Sequence, residues 1–272
     1  MDRMRTSSAL CDRDRRLPRA KGFGSQLLLS FFTMLVPLLV ASPAVAAGPV
    51  LIELFTTEGC SSCPPADQLL AEINGKTLNG AELIALGEHV DYWNGPGWKD
   101  KFSSSQFTDR QNEYVAWMHL KSPYTPQMVI DGHVQVLGND RPAVGRDLTA
   151  AAAAPKPAIV ALNWTAENKL HVSAQTPGNS GLKVLLAVTE DGITTSVGGG
   201  ENKGRVLQHV AVVRQLKTIG KPSHGSFDDT VGVTTHPDWN VAQLKAVVFV
   251  QDFHSGEILG ALAVPFQGSP AH

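Results

Sequence analysis

The sequence predicts an α/β unit followed by an all-β, antiparallel, sandwich-like unit. Two observations predict this fold class. Before Pro155-Lys156-Pro157, short apolar strands alternate with helical patterns; after it, turn residues separate six strand-like runs. Because prolines end the preceding helix, we place a boundary there, with units over residues 47–154 and 158–267. The 272 residues, 43% hydrophobic and 18% charged, suit a globular chain of one or two domains.

The first 46 residues have a different composition from the rest of the chain. Seven Lys and Arg side chains precede an apolar run over 27–40, and small residues then lead to Ala44-Val45-Ala46. This order is typical of a secretory signal peptide, and the run is shorter than the ~20 residues of a spanning helix. We predict cleavage after Ala46 and a periplasmic or secreted protein without a membrane span. An uncleaved anchor is the alternative, and Arg15-Arg16 leaves open twin-arginine export.

Cleavage changes the charge and the cysteine content. The mature chain has 16 basic and 22 acidic residues, a net charge of −6, and it loses Cys11. Without a basic excess, a nucleic-acid partner held by phosphate contacts is not expected. The two remaining cysteines, Cys60 and Cys63, lie together, and in an oxidising compartment we expect them to form a disulfide.

The first unit begins with an apolar, buried strand over 50–55. After a turn, Cys60-Ser61-Ser62-Cys63 precede Pro64-Pro65 and an amphipathic helix over 66–73, whose first turn tolerates proline. The cysteines are therefore predicted at a strand-to-helix junction. The following elements are a strand over 83–90, a helix from Thr108 to about Leu120, strands over 127–130 and 133–137 joined by an Asp131-Gly132 turn, and a helix from Asn139 or Asp140 to 154.

The second unit contains only predicted strands. A glycine-rich stretch, 197–204, lacks the spacing of a phosphate-binding loop, so we interpret it as a mobile hairpin loop. The predicted strands are 159–165, 170–176, 182–189, 208–215, 244–251 and 258–264.

The cysteine pair carries the clearest chemical signal. The N–H groups and dipole of a helix N-terminus favour a thiolate, the attacking form of cysteine. We assign Cys60 as the nucleophile and Cys63 as the thiol that resolves a mixed disulfide. An inert disulfide or a metal site are the alternatives. Two thiolates are too few ligands for zinc, and the sequence predicts no metal or cofactor.

The segment LFTTEGCSSCPPAD resembles the strand–CxxC–helix element of the thioredoxin superfamily, and Thr125-Pro126 before QMVI resembles its threonine/cis-proline element. The resemblance implies a thioredoxin-like first unit in which Pro126 is cis and lies next to Cys60. It also implies that Thr125 and Pro126 position an extended partner chain. Substrates would be protein or small-molecule thiols and disulfides, with a redox partner still to be identified.

A closer resemblance covers nearly the whole mature chain. EHVDYWNGPGWKDKFSS, TDRQNEY, YTPQMVIDG and GENKGRVLQH, together with CSSCPPAD, resemble a bacterial secreted family known as domain of unknown function 1223. This resemblance implies an exported thioredoxin-like fold fused to a β-domain, without a proven reaction.

Several other residues are candidates for the surroundings of the site. Glu53 is either a proton acceptor near Cys63 or a carboxylate paired with a cation. His89 and Asp91 alternate at a strand end, and both could face the cysteines. Two further groups are either functional or structural: an aromatic cluster that walls a substrate groove or covers the core (Tyr92, Trp93, Trp98, Phe102 and Phe107), and helix residues that support the site or face solvent (Arg110, Gln111 and Tyr114).

Two functions follow from these patterns. The first is an exported thiol–disulfide oxidoreductase, which predicts an exposed Cys60 sulfur beside Pro126. The second is a non-enzymatic envelope binding protein whose CxxC is a structural disulfide or a metal site. It predicts covered cysteines, or His89 and Asp91 converging on them.

Overall fold

A computed structural model describes residues 48–178 and 180–269, which form one compact unit. The predicted signal peptide and its cleavage site lie outside the described residues. In chain order the elements are β1 (Val50–Thr56), α1 (Pro64–Ile73), β2 (Thr77–Leu78), β3 (Ala81–His89), α2 (Ser105–Trp117), β4 (Gln127–Ile130), β5 (Val134–Leu137), α3 (Arg141–Ala153), β6 (Ile159–Ala166), β7 (Lys169–Gln175), β8 (Leu182–Glu190), β9 (Ile193–Ser196), β10 (Val206–His209), β11 (Val212–Gly220), β12 (Ser226–Gly232), β13 (Leu244–Asp252) and β14 (Ile258–Pro265).

The predicted fold class, a thioredoxin-like α/β domain followed by a separate all-β sandwich, is wrong. One mixed, nine-stranded sheet runs through both predicted units in the order β14-β13-β8-β11-β3-β1-β4-β5, and β2 pairs with β3. The two halves meet where β11 lies parallel to β3, and the Gly87 amide donates to the Ala211 carbonyl at 2.7 Å. A side chain at Gly87 would come within 3.2 Å of the Val210 carbonyl oxygen, so glycine permits this close approach.

The core is also continuous across the predicted boundary. One apolar cluster combines Leu51 of β1 and Leu86 of β3 with Val213 of β11 and Phe249 of β13. A second cluster lies between β8, β13 and a three-stranded sheet with the order β12-β7-β6. The second half does pack as two layers of β-sheet. One layer is the three-stranded sheet, and the other is the nine-stranded sheet that both halves share. The remaining strands, β9 and β10, form a separate two-stranded hairpin.

The segment around Pro155-Lys156-Pro157 is anchored rather than a free linker. The Lys156 ammonium is buried and lies 2.6 Å from Asp131 Oδ2, and it also donates to the Ala151 carbonyl at 3.2 Å. The other carboxylate oxygen of Asp131 accepts from the Leu51 amide. Because a buried charge needs a partner, this ion pair ties the segment to the β4–β5 hairpin and to β1.

Local signals account for most helix and turn boundaries. α3 is capped by Asp140, whose side chain accepts from the Ala143 amide. Asp131 and Gly132 have φ of 47° and 72° and form the predicted turn between β4 and β5. The predicted start of α2 at Thr108 is wrong, because the Ser104 side chain accepts from the Gln106 amide and caps a helix that begins at Ser105.

Candidate functional site

The two cysteines lie at the junction between β1 and α1, as predicted. After β1 ends at Thr56, a turn forms in which the Cys60 amide donates to the Thr57 carbonyl. The Cys63 amide then donates to the Cys60 carbonyl, and Cys63 is the N-cap residue of α1. Both cysteines are free thiols in this structure, which therefore describes the reduced form of the pair; the disulfide expected in an oxidising compartment stays a prediction.

The two thiols have opposite electrostatic environments. The Cys60 sulfur lies 3.1 Å from Ser62 Oγ and 3.9 Å from the Thr125 carbonyl oxygen. A hydrogen bond from Cys63 is the main reason that the pKa of Cys60 falls to about 5, although burial acts in the other direction. Burial raises the pKa of Cys63, and the nearby Cys60 and Asp67 charges raise it further. Cys60 is therefore the thiolate at neutral pH, and Cys63 is the thiol.

Exposed aromatic side chains lie beside this pair. Tyr92 is 43% exposed and Trp93 39%, whereas Cys60 itself is only 2% exposed. The Trp93 indole N–H donates to Thr125 Oγ1 at 2.9 Å, and a side chain at Gly59 would come within 3.2 Å of the Trp93 Cβ. Of the predicted aromatic cluster, these two line a surface next to the cysteines, while Phe102 and Phe107 are buried.

Thr125 and Pro126 come close to the cysteines from the start of β4. The Thr125–Pro126 peptide bond is cis, as the resemblance implies. Pro126 is buried and Thr125 is half-buried. A hydrogen bond joins this segment to the thiol: the Cys60 sulfur donates to the Thr125 carbonyl oxygen.

His89 and Asp91 do not converge on the cysteines. His89 is buried, with Nδ1 2.7 Å from Asp100 Oδ2, and its ring packs edge-on against His209. Asp91 accepts from the Thr108 hydroxyl at 2.6 Å. Among residues 48–178 and 180–269, no three His, Cys, Asp or Glu side chains are placed to hold a metal ion.

Glu53 and Arg110 form a separate buried cluster. Arg110 Nε lies 2.5 Å from Glu53 Oε1, and the Tyr114 hydroxyl donates to the other Glu53 oxygen. Glu53 thus has the cation partner that one of its two interpretations expected. A solvent-facing position for Arg110 and Tyr114 is wrong, since both are buried.

The carboxylate beside Cys63 is Asp67, which the sequence argument did not single out. Asp67 follows Cys63 by four residues, one helical turn, so both lie on one face of α1. It accepts from the Thr56 hydroxyl at 2.8 Å. That i, i+4 spacing was the available signal. Burial raises the pKa of Asp67, while His209 and His89 oppose the rise.

Replacement of Asp67 by asparagine is expected to stabilise the protein at pH 7. Since the folded-state pKa of Asp67 is raised, its protonated form favours folding below the ordinary carboxyl pKa, and this contribution is lost as the pH rises through the folded value. Asparagine can still accept from Thr56 but carries no charge. Urea unfolding of the wild-type protein and the variant should differ at pH 7 and converge toward pH 4. The exposed Glu82→Gln is the control, and a less stable D67N at pH 7 would contradict the prediction.

The hairpin of β9 and β10 reaches the cysteine loop from the other half of the chain. Asn202, between these strands, is fully buried and donates to the carbonyls of Glu58 and Cys60. The side chain of Glu58 accepts from the Trp98 indole and lies 3.4 Å from His209. The glycine-rich loop predicted over 197–204 therefore packs against the loop that carries the cysteines.

Fold and site together define a class of protein: a mixed β-sheet chain with a two-thiol site at a strand–helix junction. Residues 51–251 match the family described as "Protein of unknown function (DUF1223)", and the chain belongs to this family. The family resemblance drawn from the sequence is confirmed. None of the curated proteins compared with the chain matches it.

Solved structures share this fold at low sequence identity. Protein AGR_C_4864 from Agrobacterium tumefaciens is 23% identical with a TM-score of 0.64, over 85% of this chain and 99% of that one. HBP35 of Porphyromonas gingivalis is 14% identical with a TM-score of 0.58, over 83% and 78%. A domain of the outer membrane lipoprotein Omp28 from the same organism is 16% identical over 41% and 88%, but its TM-score of 0.21 supports no argument. Within the described residues, no helix is long and apolar enough to cross a membrane.

Proposed function

We propose that this protein is an exported thiol–disulfide oxidoreductase in which Cys60 is the nucleophile and Cys63 the resolving thiol. The observation that carries the proposal is the asymmetry of the pair. The Cys60 sulfur is within hydrogen-bonding distance of Ser62 Oγ, and the pKa of Cys60 is lowered to about 5, while burial keeps Cys63 protonated. Thiol–disulfide exchange requires a thiolate that attacks and a second thiol that resolves the mixed disulfide.

The reaction balances with these two residues alone. The Cys60 thiolate attacks one sulfur of a partner disulfide, a mixed disulfide forms, and the partner's other sulfur leaves as a thiolate. Cys63 then gives its proton to the partner thiolate released in the first step and attacks Cys60 Sγ, which releases the second partner thiolate and leaves a Cys60–Cys63 disulfide. Two electrons pass to the partner in this direction, and the reverse sequence oxidises a dithiol.

The surroundings of Cys60 support a protein or small-molecule thiol substrate. The strand–CxxC–helix order and the position of Thr125 beside Cys60 are similar to the local arrangement in thioredoxin-like proteins. Tyr92 and Trp93 present exposed rings next to the pair. Aromatic rings supply contact area at low cost in conformational entropy, so this surface suits a partner chain held by Thr125 and Pro126.

An envelope location supports this chemistry. A basic segment, an apolar run and a small-residue site precede the described chain, which is the order of a secretory signal. Disulfides form and persist in an oxidising compartment, so a cysteine pair there meets partner disulfides. The intact mass of the protein recovered from a periplasmic fraction would show cleavage after Ala46.

One observation favours the second candidate, a binding protein whose cysteines are structural. Cys60 is 2% exposed, less than the oxidoreductase interpretation predicts. For an inert pair, partner binding would depend on surfaces elsewhere and would not change when both cysteines are replaced.

A glutathione redox titration of the mature protein, read by trapping the thiols of Cys60 and Cys63, separates the two candidates. An exchange protein should have a potential between about −120 and −270 mV. The Cys60→Ser/Cys63→Ser variant is the control for labelling outside the site. A pair that stays oxidised below about −300 mV behaves as a structural disulfide and would overturn the proposal.

A further inference from the structure

The loop between β9 and β10, residues 197–205 and here called the hairpin loop, forms side-chain contacts with the cysteine loop. Asn202 Nδ2 donates to the Glu58 carbonyl at 2.9 Å and to the Cys60 carbonyl at 2.8 Å. Its partners are 144 and 142 residues away in the chain. A single buried amide thus uses both of its N–H groups on the turn that carries the thiols.

The orientation of this amide is determined by its neighbour. Arg205 Nη1 lies 3.0 Å from Asn202 Oδ1. Because a guanidinium only donates, Oδ1 must face Arg205, and the NH₂ group faces the two carbonyls. The assignment therefore follows from the hydrogen-bond network and does not rest on the choice of amide rotamer.

Two further contacts hold the hairpin loop in place. The Glu201 carboxylate accepts from the Ser61 amide at 2.9 Å, between the two cysteines. Gly199 approaches so closely that a side chain there would lie 1.8 Å from the Gly97 carbonyl oxygen. The glycines of the GGGEN segment thus permit a close backbone approach that brings Glu201 and Asn202 onto the cysteine loop.

The two carbonyls that accept from Asn202 belong to the turn that carries both thiols. The Cys60 carbonyl that accepts from Asn202 also accepts from the Cys63 amide, at 3.2 Å. The turn from Glu58 to Cys63 therefore holds its shape through Asn202, and this shape sets the separation of the two sulfurs. β9 and β10 form a two-stranded sheet of their own, so the Asn202 contacts are not part of the hydrogen bonding of the nine-stranded sheet.

We propose that Asn202 is a positioning residue for the redox pair, which it acts on through the Glu58 and Cys60 carbonyls. This inference rests on the proposed function. Without Asn202 the turn relaxes, the hydrogen bonds to the Cys60 thiolate weaken, the Glu58 carbonyl loses its side-chain donor, and the Cys60 carbonyl keeps only the Cys63 amide. Each change disfavours the thiolate.

The test uses Asn202→Leu, which keeps the size of the side chain and removes both donors. Alkylation of Cys60 by iodoacetamide is followed against pH in the reduced, full mature chain. We expect the pKa of Cys60 to rise by about one unit, so that alkylation is roughly twofold slower at pH 6 and roughly ninefold slower at pH 4, with a matching change in the redox potential. Lys203→Ala, on the same loop with an exposed side chain, should behave as wild type.

A folded N202L protein with a wild-type pH profile and potential would overturn the inference, because a merely structural residue would change only stability. If N202L does not fold, Arg205→Ala is the second variant. Arg205 is exposed, and its guanidinium donates to the oxygen of the amide rather than to the cysteine loop. R205A should shift the profile in the same direction by a smaller amount, and no shift would count against the proposal. Failure of the proposed function is distinguishable, since it appears in the wild-type titration itself.

Discussion

Alkylation of reduced Cys60 is expected to keep most of its neutral-pH rate well below neutral pH, with a half-maximal rate near pH 5. The reason is the hydrogen bond from Cys63, supplemented by Ser62, which lowers the pKa of Cys60 to about 5. Because only the thiolate reacts, the alkylation rate follows its titration. At pH 6 a single site should be labelled, since burial raises the pKa of Cys63. Peptide mapping identifies the labelled residue.

Two variants sharpen this prediction. Cys63→Ala removes the donor that contributes most to the lowered pKa, so the midpoint for Cys60 should move up toward the ordinary thiol value of about 8.5. Cys60→Ser should lose labelling at pH 6. Equal reactivity of the two thiols, or a wild-type midpoint at the ordinary thiol value, would contradict the assignment of roles.

The same pKa shift affects the stability of the reduced protein. Since the folded-state pKa of Cys60 is lowered, ionisation of this thiol stabilises the folded reduced form above the ordinary thiol pKa, and the contribution is lost as the pH falls through about 5. The oxidised form has no such contribution. A stabilised reduced form makes a disulfide more oxidising. Compared with a dithiol whose two thiols have ordinary pKa values, the pair should therefore become a weaker oxidant as the pH falls toward 5.

Replacement of Arg110 by methionine is expected to reduce the free energy of unfolding by roughly 3–5 kcal/mol, as for other buried ion pairs that lose one partner. Arg110 is 4% exposed and lies 2.5 Å from Glu53 and 3.5 Å from Glu88. Burial and the Glu53 charge raise the pKa of Glu88, and Arg110 opposes that rise. Without the guanidinium, two buried carboxyls would face each other with no cation between them, and only the Tyr114 hydroxyl would still donate to Glu53. Guanidinium chloride unfolding measures the loss.

The chain offers a matched control for this substitution. Arg141 lies 2.6 Å from Glu72, but both side chains are about half exposed, so Arg141→Met should reduce the free energy of unfolding far less than Arg110→Met. The double variant Glu53→Gln/Arg110→Met should recover part of the stability, because it removes one of the two uncompensated carboxylates. Equal losses for R110M and R141M would show that the buried pair contributes no more than a surface pair.

Contacts between distant segments account for what sequence reasoning missed. Asp67 was detectable from its spacing to Cys63, whereas Asn202 had no local signal because its partners are more than 140 residues away. The glycine-rich segment 197–204 was predicted to be mobile from composition alone. Its glycines instead permit a close approach to the loop at Gly97. Composition indicates that a backbone is free to bend, but not what it bends against.

The sequence by itself determined the parts of this protein whose causes are local. The cysteines at the start of α1, the Asp131-Gly132 turn and a helix cap at Asn139 or Asp140 follow from residues within a few positions of one another. Only the tertiary structure decided that β11 pairs with β3, that Lys156 is buried against Asp131, and that Asn202 holds the cysteine turn. An apolar strand pattern shows that both faces are covered. It does not show which strand satisfies the backbone groups at its edge, and here that choice merges two predicted domains into one sheet.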